Sequence, residues 1–183
     1  MNSGIKKNIL LVEPDFPIPG KSKNHSNFLP IGLLKLASYY INLQCEIQLI
    51  RGNHTADFYP TEIYITSLFT YWSNYVKDSV EFYKANYPKA KVIVGGIYAT
   101  LMPDHCKEFT GCDEVFKGQH AEADLCLPAY DLIEVDYQII HGMRGCTRKC
   151  PFCGIWKIEE LSYKNAEEIK NEICKNKLVF YDN

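Results

Sequence analysis

The sequence predicts an α/β protein: a doubly wound parallel sheet, followed by the opening of a second α/β unit. Three observations carry that reading. Short apolar, strand-like runs alternate with segments of helical spacing from residue 7 to residue 116. Proline, glycine, asparagine and aspartate cluster at the joints between them. A new strand–loop–helix–strand order then begins near Tyr137. Strands separated by helices pair in parallel, and right-handed crossovers place the helices on both faces of the sheet.

The elements follow in order. Residues 7–13 (KNILLVE) form a short apolar run, a buried strand. Pro14, Pro17, Pro19 and Gly20 end it in a loop. Residues 31–43 have apolar side chains at helical spacing, with Pro30 suited to a first turn. Residues 45–50 (CEIQLI) read as a second strand ending at Gly52, and 62–68 (EIYITSL), alternating and β-rich, as a third. A helix is predicted over 74–86, capped by Ser73 and closed before Pro88. Residues 91–94 (KVIV) form a fourth strand running into Gly95-Gly96. A short helix over 104–109, the run 113–116 (DEVF) and Gly118 complete the first domain, residues 1–120. Residues 121–136, interrupted by Pro128, read as a linker. In residues 137–183 the pattern gives a strand at 138–140, a cysteine-bearing loop, a helix over 166–176 and a strand at 178–181. Asn165 and Glu168 resemble a capping box at the start of that helix.

Bulk properties narrow the function. The 183 residues are 46% hydrophobic and 23% charged, so a core can form. A net charge of −2 argues against a nucleic-acid surface, and the aromatic-rich stretch 58–75 has no basic residue before Lys77. No apolar run is long enough for a membrane span. The N-terminal run ends in Glu-Pro-Asp without a small-residue cleavage site, which points to a cytoplasmic protein with reduced thiols. His54, His105 and His120 lack a partner pattern, and a surface or satisfied histidine is the expectation for each.

Eight cysteines are present, and three of them fall in the stretch 141–154, HGMRGCTRKCPFCG. Cys146, Cys150 and Cys153 have C-x3-C-x2-C spacing. Three thiolates on one loop can hold three irons of a cubane [4Fe–4S] cluster, leaving the fourth iron without a protein ligand. Gly145 and Gly154 permit a tight backbone, while Arg144, Arg148 and Lys149 favour thiolate and offset the cluster's negative charge. A Cys3His zinc site completed by His141 and a set of inert buried cysteines are the alternatives; zinc sites more often pair short spacings at a distance.

The loop resembles the signature of the radical SAM superfamily, with Phe152 in the aromatic position before the last cysteine. The resemblance implies a [4Fe–4S] cluster on Cys146, Cys150 and Cys153, and S-adenosyl-L-methionine bound at the free iron, near Phe152. It further implies reductive cleavage to a 5′-deoxyadenosyl radical acting on a substrate that the sequence does not name. An electron donor such as a flavodoxin or ferredoxin would serve it. The order strand, loop, helix, strand in 137–183 matches the first one to two βα units of the family's partial TIM barrel. Six such units need about 180 residues, at roughly 30 each. The resemblance therefore predicts a fragment, truncated early in the barrel and inactive alone, with Asp182-Asn183 where relatives carry a glycine-rich SAM-binding run. Two other readings stay open. One is an iron–sulfur or zinc module working with a second chain; the other is a regulatory ligand-binding domain with a vestigial cluster loop.

Residues 1–120, read as Rossmann-like, resemble the cobalamin-binding-like domain that precedes radical SAM cores in one branch of the superfamily. In the D-x-H-x-x-G motif of cobalamin proteins the histidine ligates cobalt. The same spacing here reads Asp15 to Gly20 with Pro17 in the histidine position, and His25 lies off the pattern. Ser67, Gly95, Gly96 and Gly118 match positions that line the cobalamin tail, and Glu122 keeps part of a Gly-Glu-x-Glu run. A domain that keeps the fold without cobalamin is the first expectation, and cobalamin binding the second.

Overall fold

A computed structural model describes residues 7–17 and 29–182. The expected turn at Pro19-Gly20, together with His25, lies outside the described residues. The chain divides into two compact units, Met1–Pro128 and Ala129–Asn183.

The first unit is built on five parallel strands: β1 (Asn8–Glu13), β2 (Glu46–Arg51), β3 (Glu62–Ser67), β4 (Lys91–Gly96) and β5 (Glu114–Val115). Their order across the sheet is β2-β1-β3-β4-β5. This is the flavodoxin-like doubly wound order, whose reversal point lies between β1 and β3. The register runs unbroken from Asn8↔Glu46 to Glu13↔Arg51 on one side of β1 and from Ile9↔Glu62 to Val12↔Ile65 on the other. Ile9, Leu10, Leu11 and Val12 are all fully buried, as a central parallel strand covered on both faces requires.

Alternation along the strands sorts the two faces. Leu10, Val12, Ile63, Ile65, Val92 and Val94 form one core with Val76, Val80 and Tyr83 of α2 (Ser73–Asn86), Tyr98 and Ala99 of α3 (Ile97–Leu101) and Cys106 of α4 (Pro103–Thr110). On the opposite face lie Ile9 and Leu11, toward the side of α1 (Ile31–Asn42), whose Leu33, Leu34 and Ala37 are buried. The short α5 (Ala121–Asp124) packs on α1, where Lys35 Nζ bonds the Asp124 carboxylate at 2.9 Å and its carbonyl at 2.6 Å. Residues 121–128, assigned to the linker from sequence, thus belong to the first unit.

Several boundaries differ from expectation. Ser73 is the first helical residue of α2, not its cap; Trp72 takes the cap position without a side-chain bond, because a 3-10 turn, Thr70–Trp72, feeds directly into the helix. The fourth strand continues through Gly95 and Gly96, since both pair with β3. The 113–116 run keeps only two residues as strand.

The second unit contains one parallel pair, β6 (Tyr137–Ile140) with β9 (Lys177–Phe180), connected through α7 (Ala166–Glu172). Parallel pairing across a helix makes this a β–α–β unit. Gln138, buried beside β9, ties the crossover together: its Nε2 donates to the Glu172 carbonyl at 2.9 Å, and its Oε1 accepts from Cys174 N at 2.6 Å and Lys175 N at 2.8 Å. The Tyr130 hydroxyl donates to the Ile139 carbonyl and accepts from the Ile139 amide. The capping box at Asn165 and Glu168 is formed in full. Helix α7 ends at Glu172, four residues earlier than the spacing suggests, because the chain there turns to deliver Cys174 N and Lys175 N to Gln138. Between β6 and α7 come a two-residue antiparallel ladder, β7 (Met143–Arg144) with β8 (Ser162–Tyr163), and the one-turn α6 (Ile155–Ile158).

Candidate functional site

The three cysteines of the signature lie on one loop whose two ends are fastened together. The β7–β8 ladder pairs Met143 with Tyr163 and Arg144 with Ser162. Just inside it Gly145 adopts φ +73°, and a Cβ there would lie 2.7 Å from the Glu160 carbonyl oxygen. The two arms of the stem come too close for any side chain at that position. Glu159 reinforces the contact through an ion pair with Arg144 Nη2 at 2.7 Å and a bond from the Gly145 amide at 3.3 Å.

At the stem base, the Asp182 carboxylate accepts from the amides of Gly142 (2.7 Å) and Met143 (2.9 Å). His141 Nδ1 bonds the Tyr181 carbonyl. A carbonyl only accepts, so the proton is on Nδ1. Burial, partly offset by that bond, lowers the pKa of the His141 imidazole and so favours its neutral form.

Inside the loop, Cys146, Cys150 and Cys153 are half-buried free thiols. The Arg148 amide points at Cys146 Sγ at 3.4 Å. The Cys150 carbonyl accepts from the Cys153 amide at 3.0 Å and from the Trp156 indole N–H at 3.2 Å. Phe152, at the tip, is 91% exposed, so its ring is open to a ligand or partner. Among the described residues no three His, Cys, Asp or Glu side chains stand together at metal-binding separation. The donor set itself, three thiols on one closed loop beside Arg144, Arg148 and Lys149, suits an iron–sulfur cluster. The bond from His141 Nδ1 to Tyr181 does not set zinc aside, since a metal-ligating histidine commonly donates its other ring N–H to a carbonyl and Nε2 stays available.

In the first unit the candidate residues gather at the carboxyl ends of β3, β4 and β5. Ser67 is fully buried, its hydroxyl donating to the Gly95 carbonyl at 2.7 Å and accepting from the Ala99 amide at 3.1 Å. Gly96, with φ +98°, lies against it: a Cβ there would be 2.3 Å from the Ser67 carbonyl oxygen. Ser67 and Gly96 therefore shape the β4–α3 turn. Gly95 faces Phe116, with 3.8 Å from an added Cβ to that side chain. Gly118, at φ +79°, has open space around it, and its amide donates to Thr100 Oγ1 at 3.0 Å. Thr100 Oγ1 in turn donates to the Gly96 carbonyl.

An aromatic group lies beside this edge, where rings of the stretch 58–75 pack with Phe16, a partner the sequence does not mark. Phe16, after β1, is buried and stacks on Trp72 at 5.2 Å; Tyr75 meets it edge-on at 6.4 Å. Phe69 and Tyr71 stack at 5.0 Å and remain exposed. The crowding of aromatics over 58–75 was the available signal. His120 lies between the rings of Tyr39 and Phe116, and its Nδ1 accepts from the Ala123 amide at the start of α5. His105 bonds the Tyr98 hydroxyl at 2.6 Å. Both histidines are satisfied within the fold.

No helix among the described residues is long and apolar enough to cross a membrane. No family model and no curated protein matches the chain. Among solved structures, the chain is similar to a structure titled as a novel cobalamin-binding protein from Desulfitobacterium hafniense DCB-2, at 13% identity and a TM-score of 0.44. The match covers 65% of this chain and 56% of that one. The assignment of the five-stranded sheet rests on its own order and register.

Proposed function

We propose that the chain is a radical SAM [4Fe–4S] protein, with Cys146, Cys150 and Cys153 as the cluster ligands. One observation carries the reading: the C-x3-C-x2-C loop is inserted between β6 and α7 of a β–α–β unit and closed at its stem by Gly145, Glu159 and the β7–β8 ladder. A bound cluster would supply one-electron reduction of S-adenosyl-L-methionine at the iron that lacks a protein ligand. The chain's own residues hold the three thiols on one loop, set cationic side chains beside them and present Phe152 toward the open side. A flavodoxin or ferredoxin is the class of electron donor this chemistry takes, and the substrate is a further small or macromolecular partner.

Anaerobic reconstitution with iron and sulfide tests the reading. The protein should turn brown, absorb broadly near ~400 nm and hold iron that Cys146→Ser, Cys150→Ser and Cys153→Ser each release. Addition of S-adenosyl-L-methionine should change the electron paramagnetic resonance spectrum of the reduced cluster. A colourless protein that binds zinc in place of iron would overturn it.

Cobalamin on the first unit is the second reading. The sheet order, with its reversal point at β1 and β3, and the open surroundings of Gly118 support it. The internal commitment of the Ser67 hydroxyl and the Phe16–Trp72 stack weigh toward a domain that keeps the fold without the cofactor. Incubation with hydroxocobalamin and desalting separates the two, since only a binding domain retains the red colour.

A further inference from the structure

We infer that the segment following the third cysteine, α6 and Glu159, is a brace that sets the positions of the first two cysteines, with Trp156 and Glu159 as positioning residues. The inference rests on the cluster reading and goes beyond it, since neither side chain is a ligand.

The geometry is specific. The Trp156 indole N–H reaches back to the Cys150 carbonyl at 3.2 Å. That same carbonyl accepts from the Cys153 amide at 3.0 Å, so one oxygen fixes the turn between the second and third cysteines from two directions. Lys157 lies 5.3 Å from the centroid of the Trp156 ring, which helps to hold the indole in place. Three residues on, Glu159 holds the other arm: Oε1 pairs with Arg144 and Oε2 accepts from the Gly145 amide, immediately ahead of Cys146. Gly145 has a left-handed backbone with no room for a Cβ, so side-chain packing cannot stiffen that arm. A carboxylate bonded to its amide does so. The amide of Glu159 bonds the Ile155 carbonyl and that of Lys157 bonds the Gly154 carbonyl, which gives the brace a fixed turn to act from.

Groups outside the ligand set that orient ligands typically alter metal affinity by about 10- to 100-fold. Trp156→Phe keeps the ring and loses the N–H; Glu159→Gln keeps the shape and loses the charge. Both are made in the full chain and reconstituted anaerobically with ferrous iron and sulfide. Each variant is expected to lose iron to a chelator about 10-fold faster than the parent. Each should also show an altered resonance line shape in the reduced cluster, while the metal-free protein melts at the parental temperature. Parental iron retention and line shape in both variants would overturn the brace while leaving the cluster reading intact. Iron loss that tracks a lowered melting temperature of the metal-free protein in both variants overturns it too, because that is collapse of the unit. A parent chain that takes up no iron is the separate failure of the cluster reading, and the brace falls with it.

Discussion

Asp182 and Gly142 are joined by a 2.7 Å hydrogen bond from the Gly142 amide to the Asp182 carboxylate, and the same oxygen accepts from Met143 at 2.9 Å. Asp182, two positions past the end of β9, thus holds the backbone that leads into the cysteine loop. Asp182→Ala should remove both bonds at once. Because the carboxylate is exposed, the stability cost is about 1 kcal/mol or less. The sharper readout is amide hydrogen exchange, in which Gly142 and Met143 should lose protection while β6 keeps its own. Asp182→Asn, which retains an acceptor oxygen, should lie between the two.

Gly96 admits no side chain. Its φ of +98° with ψ of −165° is a conformation open essentially to glycine alone, and a Cβ would lie 2.3 Å from the Ser67 carbonyl oxygen. Gly96→Ala should destabilise the first unit by about 3 kcal/mol or more, read as a lowered urea midpoint. Gly111→Ala, also left-handed but with nothing within 4 Å, should cost clearly less.

Glu13 gives the first unit a pH dependence. Burial raises its carboxyl above the ordinary 4.5, and the Arg51 guanidinium pulls against that rise without cancelling it. The native state therefore keeps this proton to higher pH than the unfolded chain does. The stability it contributes is fully present below about pH 4.5 and is lost as pH rises through the folded value. Glu13→Gln should flatten that decline in urea titrations run on either side of the window; an equal slope in the variant would contradict the assignment.

Asn165 caps α7 by accepting from the amides of Glu167 (2.9 Å) and Glu168 (3.0 Å), while Glu168 returns a bond to the Asn165 amide. Asn165→Ala should cost about 1 kcal/mol. Faster exchange at the Glu167 and Glu168 amides would report it directly.

The features that could be read in the sequence are those encoded within a few residues. The alternation over 62–67 gives a strand with Ile63 and Ile65 on the buried side, and Asn165 with Glu168 gives a capping box. The sheet class follows from strands and helices in turn. What stayed hidden depends on contacts between distant residues. The β7–β8 ladder is two residues long on each side, too short for any periodicity to reveal. Trp156 and Glu159 gain their roles only when α6 folds back over the cysteines. Ser67 could be placed at the carboxyl end of the third strand, but its commitment to Gly95 and Ala99 requires β4 and α3 to be in place. Ser73 misled because the 3-10 turn before it has no sequence mark of its own.

The closed stem also imposes an order of assembly. The β7–β8 ladder and the Gly145–Glu160 approach join residues no more than twenty positions apart, whereas the β6–β9 pair joins Tyr137 to Lys177 across the whole loop and α7. Short closures lose less chain entropy and form first. The cysteine loop should therefore close as a local structure before the parallel pair zips beneath it, so that iron would meet a loop already shaped by its stem.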